Sequence, residues 1–378
     1  MRHIWKFLLC VCLLFTLTSM GQGPAWIWAK NAAVTVGTSG AMGKSVATDV
    51  AGNIFVCGYY DNSSVTFGST TLTNKGLDNL FIAKYDSGGT VLWAKGAGGT
   101  AGDEADGLAA DGAGNVYVTG DFGSPTIKFG SSILTNNGQS NFFLVKYDIN
   151  GNVLWARSAG GIGSGYGASG ISVTVDNSGN VYATGGYFGP IIAFGSDTIR
   201  SPQNSSPVFL VKYDANGNEL WARISGDTSY GTGYSVATDI AGNVLITGNF
   251  SSSHLSFSSD TLINEVPYGA HDMFIVKYDA AGNVSWARNS RDSGSATVAS
   301  VAVDATGNAY VTGGMSNHSA VFGLDTLYIH NNDKSIAFLI KYDPSGNVLW
   351  VQGAETPHIN AEGASGSGLT IAPNGNIY

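Results

Sequence analysis

The sequence predicts an all-β protein: a β-propeller of four-stranded antiparallel blades with a repeat of about 64 residues. Three observations carry this reading. Tryptophans recur in register at Trp28, Trp93, Trp155, Trp221, Trp286 and Trp350, 62 to 66 residues apart. The first five are each followed by Ala and then Lys or Arg. Glycine is abundant, at 53 residues, beside 11% aromatics, which suits short strands joined by tight turns.

Each unit contains four strand-like segments rich in Val, Ile, Phe, Tyr, Trp and Thr, which fit a pleated surface. The first is short and β-branched, as in Ser300-Val301-Ala302-Val303. The second is Gly-Asn-Val-Tyr-Val-Thr-Gly at 114–120, with variations at 52–58, 179–185, 242–248 and 307–313. The third is Phe-Leu-Val-Lys-Tyr at 143–147, with cognates at 81–85, 209–213, 274–278 and 338–342. The fourth carries the tryptophan, as in Val153-Leu154-Trp155-Ala156-Arg157.

Turns punctuate the strands just as regularly. Asp-x-x-Gly joins strands one and two at Asp49, Asp111, Asp176, Asp239 and Asp304. It joins strands three and four at Asp86, Asp148, Asp214, Asp279 and Asp343. Asp first and Gly fourth is a type I turn signature, and the Gly can adopt the left-handed conformation that returns the chain as a hairpin. Between strands two and three lies a further apolar segment, such as Ile127-Lys128-Phe129-Gly130, which reads as a small extra hairpin; the fourth copy, Leu255-Ser256-Phe257-Ser258, has lost the Gly.

A lone four-stranded sheet cannot bury two apolar faces. In strand three, Phe143, Val145 and Tyr147 point one way and Leu144 the other, so sheets must stack around an axis. The repeat gives five full blades, at about 44–95, 107–157, 170–223, 234–288 and 299–352. A partial sixth unit at 367–378 is expected to share a blade with an N-terminal strand at 25–30, and a third strand for it is expected to lie beyond Tyr378.

These motifs carry a family resemblance. Tyr213-Asp214-Ala215-Asn216-Gly217-Asn218-Glu219-Leu220-Trp221-Ala222-Arg223, followed by Ala237-Thr238-Asp239-Ile240-Ala241-Gly242-Asn243-Val244, resembles the bacterial SBBP beta-propeller repeat family. The resemblance implies a propeller in a secreted or cell-surface bacterial protein of Bacteroidetes type. It implies no catalytic residue, because the family brings no established chemistry.

The N-terminus reads as a secretory signal peptide over 1–21. Arg2 and Lys6 precede a short apolar run from Phe7 to Leu17, and small residues end it before Gln22. Only Cys57 follows, so no intramolecular disulfide is expected, and no second apolar run is long enough to span a membrane.

Few residues are arranged for chemistry. None of the six histidines forms a short-spaced pair, and each Asp turn offers one carboxylate, fewer than a calcium loop requires. No metal or cofactor site is expected. Asp214, Gly217 and Trp221 do not match the spacing of a sialidase Asp box, and a quinone-dehydrogenase docking motif places Asp and Trp one residue further apart. The formal charge of −9, with Lys and Arg totalling 18, disfavours nucleic acid. Most of those bases belong to the repeat. Lys84, Lys146, Lys212, Lys277 and Lys341 sit on strand three between apolar neighbours, which predicts contacts to Asp or carbonyl groups that bridge strands or blades.

What varies is one face. Hairpin turns lie at one end of a propeller, and the connectors between blades lie at the other. The expected function is therefore a non-catalytic binding or scaffold module, with a protein or glycan ligand held by Asp103, Glu104, Tyr166, Asp227, Tyr230, Asp292 and Glu355 on the connector face. The alternative is a carbohydrate-active or quinone-type enzyme. Carboxylates gathered within about 10 Å on that face would favour it; a smooth polar surface would favour the module.

Overall fold

The structure is a computed structural model that describes residues 29–30, 32–34, 40–161, 163, 165–201, 205–226, 230–265, 271–292, 295–316, 319–329, 335–354, 364–372 and 374–378. The expected signal peptide, and all of the expected strand 25–30 except its last two residues, lie outside them. The chain divides into 1–31 and a unit from Ala32 to Tyr378, and the blades belong to the second.

Five four-stranded antiparallel sheets form, each a meander in chain order. Blade 1 comprises Ala41–Thr48, Ile54–Tyr60, Asn79–Tyr85 and Val91–Ala97; blade 2 comprises Asp103–Ala110, Val116–Phe122, Asn141–Tyr147 and Val153–Gly160. Blade 3 is Gly167–Val175, Val181–Phe188, Val208–Tyr213 and Glu219–Ile224; blade 4 is Gly231–Thr238, Val244–Phe250, Asp272–Tyr278 and Val284–Asn289. Blade 5 is Ser295–Val303, Ala309–Ser316, Ser335–Tyr342 and Val348–Ala354. First strands begin three or four residues earlier than the repeat suggests. Part of what reads as a variable connector is therefore strand.

All ten Asp turns close as the sequence predicts, with the Gly amide on the Asp carbonyl and the Asp amide on the carbonyl four residues on. In nine of them the residue after the Gly is Asn, whose Nδ2 donates to the same carboxylate, as from Asn53 to Asp49 at 2.8 Å. Most of the hydrogen bonds to each carboxylate come from its own turn, so these aspartates act as caps.

The core lies between blades. One cluster joins Phe55, Cys57 and Ile82 of blade 1 to Leu108, Val118 and Phe143 of blade 2; equivalent clusters join blades 2 and 3, 3 and 4, and 4 and 5. Polar staples reinforce each junction. The indole N–H groups of Trp93, Trp155, Trp221 and Trp286 donate to Ile149, Ala215, Ala280 and Pro344, each in the strand three-to-four turn of the next blade. Arg157, Arg223 and Arg288 bind the Gly carbonyl of the same turns. The strand-three lysines do what was expected of them: Lys84, Lys277 and Lys341 pair with Asp49, Asp239 and Asp304, while Lys146 and Lys212 donate to Ala215 and Ala280 of the next blade. The Trp-Ala-Arg motif is thus the blade-to-blade fastening.

The extra hairpin is a second fastening. Its Phe packs at a tilt against the strand-three Phe of its own blade, as Phe129 against Phe143 at 5.1 Å. Its first strand pairs with chain that continues the fourth strand of the preceding blade: Gly161 with Ile192, Gly226 with Ser256, and Arg291–Asp292 with Val321 and Ala320. Ala33 and Val34 pair with Thr66 and Val65 in that same register.

At the sixth position the C-terminal segment forms a first hairpin. Ile371 bridges Ile377, Gly366 donates to Gly313 of blade 5, and Ala364 donates to Ser335.

Candidate binding site at the axial channel

Each first strand carries one extra residue. Its pairing slips between Gly43 and Ser45, Ala105 and Gly107, Gly170 and Ser172, Gly233 and Ser235, and Val298 and Ser300. The glycine that ends each second-strand motif makes room for this bulge. A Cβ at Gly58, Gly120, Gly185, Gly248 or Gly313 would collide with the carbonyl oxygen of Met42, Glu104, Ser169, Thr232 or Thr297.

The bulge aims one side chain per blade at the axis. Lys44, Asp106, Ile171, Tyr234 and Ala299, with Ser367 at the sixth position, line one axial cavity of about 440 Å³. The next residue is Ser45, Ser172, Ser235 or Ser300 in four blades, and these line the cavity too. Ser45, Ser172 and Ser235 accept the amides of Leu108, Val236 and Val301 in another blade.

Charge collects on blade 2. Lys44 lies 3.7 Å from Glu104 and 3.6 Å from Asp106. Its ammonium also stands over the Tyr59 ring at 5.3 Å. Asp121 pairs with Glu104 across the strands and accepts from Ser169 Oγ at 2.9 Å. Burial pushes Asp121 up to about 7 against the opposing Ser169 hydrogen bond, with Asp106, Glu104 and Asp103 adding repulsion. Burial also raises Asp106, offset by Lys44, and raises Glu104, reinforced by Asp106. Lys44 is held above its usual value, because Asp106 and Glu104 outweigh burial.

The expected site residues fare unequally. Glu104 belongs to this cluster. Asp103 does not face solvent: it is fully buried and accepts from Gly99, Ser124 N and Ser124 Oγ, tying its connector to the extra hairpin. Its expected ligand-facing position is corrected to that fastening role. Tyr166 packs on Phe188 at 5.9 Å, and Tyr230 is 41% exposed on another connector. Asp227 and Glu355 lie outside the described residues, and of Asp292 only the backbone is described. Sequence reasoning missed Lys44, Asp106, Asp121 and Tyr234. A signal existed: the residue five before each first-turn Asp is Lys, Asp, Ile, Tyr or Ala, while its neighbours repeat.

Glu104 and Asp106 share one ammonium, so they stand well inside the separation that would favour an enzyme. Among the described residues, no group of three or more His, Cys, Asp or Glu is placed to hold a metal ion, and no helix is long and apolar enough to cross a membrane.

Repeats and blades together define a β-propeller repeat protein. No family model matches the chain. A WD repeat-containing protein of Acanthamoeba polyphaga mimivirus is 30% identical over 375 residues, covering 81% of this chain and 27% of its own length. Regulatory protein FlaEY of Caulobacter vibrioides is 30% identical over 148 residues, covering 39% of this chain and 15% of its own. The chain therefore spans about a quarter or less of these relatives. Among solved structures, a Bacteroides caccae protein of unknown function aligns with a TM-score of 0.40 at 13% identity, over 83% of this chain and 82% of that one. The WD40 domain of Neurospora crassa Pan2 aligns at 0.38 and 10%, over 89% and 84%.

Proposed function

We propose that this chain is an exported, non-catalytic binding module that holds a protein or glycan ligand at its connector face and the mouth of the axial channel. The observation that carries this is a cluster of off-repeat polar residues at that end. Lys44, Glu104, Asp106, Asp121 and Tyr234 break the repeat there, whereas the opposite end is ten near-identical Asp turns. A rigid scaffold with one divergent rim is how repeat proteins present a ligand surface. Export through residues 1–21 is part of the proposal, and mass spectrometry should find a mature N-terminus near Gln22. The immobilised chain, screened on glycan arrays and secreted proteins, should capture a ligand. That capture should be lost in Glu104→Ala and Tyr230→Ala and kept in Asn150→Ala on the turn end. Loss only in the turn-end variant would overturn the reading.

The gathered carboxylates favour a second reading, a carbohydrate-active enzyme in which Asp121 acts as the acid. Against it, Glu104 and Asp106 are committed to Lys44, and Asp121 to Ser169. Hydrolysis of aryl glycosides that is abolished by Asp121→Asn would establish it in place of the binding module.

A further inference from the structure

The axial cavity has a composition of its own. Its volume of about 440 Å³ lies within the roughly 300–1,000 Å³ typical of small-molecule sites. One wall carries the Lys44–Asp106 ion pair; the other carries Ile171, Tyr234 and Val298. Ser45, Ser172 and Ser235 use a lone pair on a neighbouring amide, which leaves each hydroxyl hydrogen to donate.

Charge balance narrows the occupant. A cationic ligand would have to displace the Lys44 ammonium from Glu104 and Asp106. An anion would meet Asp106 in the lining, with Glu104 already drawing on the Lys44 ammonium that would have to hold it. A neutral molecule meets neither cost. It would find an acceptor carboxylate, a donor ammonium and several hydroxyls on one side, and a tyrosine with aliphatic side chains on the other. That is the complement of a sugar ring, which has hydroxyls at its edge and C–H groups on its face.

We propose that the axial cavity is a binding site for a neutral monosaccharide unit, with Asp106 and Lys44 engaging ring hydroxyls and Tyr234 covering an apolar ring face. This rests on the binding-module reading and gives it a ligand class. The bulge is what makes the site possible: it lets one position per blade vary without disturbing the pairing on either side.

The test uses the full chain. Glucose, galactose, mannose and N-acetylglucosamine are titrated to about 50 mM, followed by saturation-transfer NMR and calorimetry, a range that captures even weak sites. At least one should bind, and Asp106→Asn and Tyr234→Ala should each weaken it by about tenfold or more. Melting temperatures of both variants should match the parent, and Asp325→Asn on the outer rim should bind as the parent does. Three results would overturn the proposal: none of the four sugars binds, binding survives both channel variants, or spermidine binds through Asp106 while the sugars are silent. None of these touches ligand capture through Glu104 and Tyr230, so the sugar site and the connector-face module fail separately.

Discussion

Asp272 opens the third strand of blade 4, where blades 1 and 2 carry Asn79 and Asn141. It is 1% exposed; Oδ2 accepts from Asn289 at 3.1 Å, and Oδ1 has no hydrogen-bond partner among the described residues. Burial raises it to about 7, opposed by Asn289 and reinforced by Glu265. The unfolded chain titrates near about 3.9. Between those values the folded state binds the extra proton, so stability falls as pH rises from about 4 to about 7 and is level above. Asp121 contributes with the same sign. Turn aspartates run the other way. In Asp49 and Asp239, burial is outweighed by their Asn and Lys partners, so the stability they give is lost only as pH falls below about 4. We expect Asp272→Asn to stabilise the protein at pH 8 by on the order of 1 kcal/mol, and hardly at all at pH 4.5. Urea unfolding at both pH values checks this, and a variant less stable than the parent at pH 8 would refute it.

At the scale of the element, the extra hairpin shows one copy under local strain. Its turn needs a left-handed residue, supplied by Gly68, Gly130, Gly195 and Gly323 at φ of 58 to 64°. In blade 4 Ser258 takes φ 56°, alone among non-glycine residues described. L-residues with a Cβ pay for that conformation. Ser258→Gly should raise stability by about 0.5–1 kcal/mol, read as a higher melting temperature. An unchanged or lower value would mean that Ser258 gains from a contact what it loses in backbone energy. The Phe-Gly spacing of this hairpin is legible in sequence. Its grip on the preceding blade is not, since pairings such as Gly226 with Ser256 join segments that share no pattern.

Across the whole molecule, the repeat makes one position a gauge of blade contact. Leu108, Val173, Val236 and Val301 are 5–7% exposed, each covered by the blade before it. Their cognate Val46 in blade 1 is 65% exposed. In blade 5, alternate residues of strand three are fully buried: Ile336, Phe338, Ile340 and Tyr342 face blade 4, and the residues between them are only partly covered. In this chain Val236→Ala should cost on the order of 2 kcal/mol, and Val46→Ala less than about 0.5 kcal/mol. Equal losses in denaturant titrations would show that Val46 is covered in solution.

The blades, their ten Asp turns and the apolar faces were readable because they depend on local physics. Turn type follows from Asp and Gly at fixed spacing, strand from β-branched and aromatic runs, and stacking from apolar residues on both faces. Lys84 and its cognates were readable as partnered, since burial forbids anything else. The candidate site was not. Lys44, Asp106 and Tyr234 look like irregularities at the edge of a repeat unit, and Asp103 looks like one more exposed acid. Only the tertiary structure shows that a bulge, admitted by a glycine on the paired strand, turns the first three toward the axis. The same structure draws Asp103 inward onto Gly99 and Ser124. Sequence periodicity records what every blade does alike and marks the position five before each first-turn Asp as the one that varies; that these varying side chains meet at the axis depends on contacts between blades some 60 residues apart.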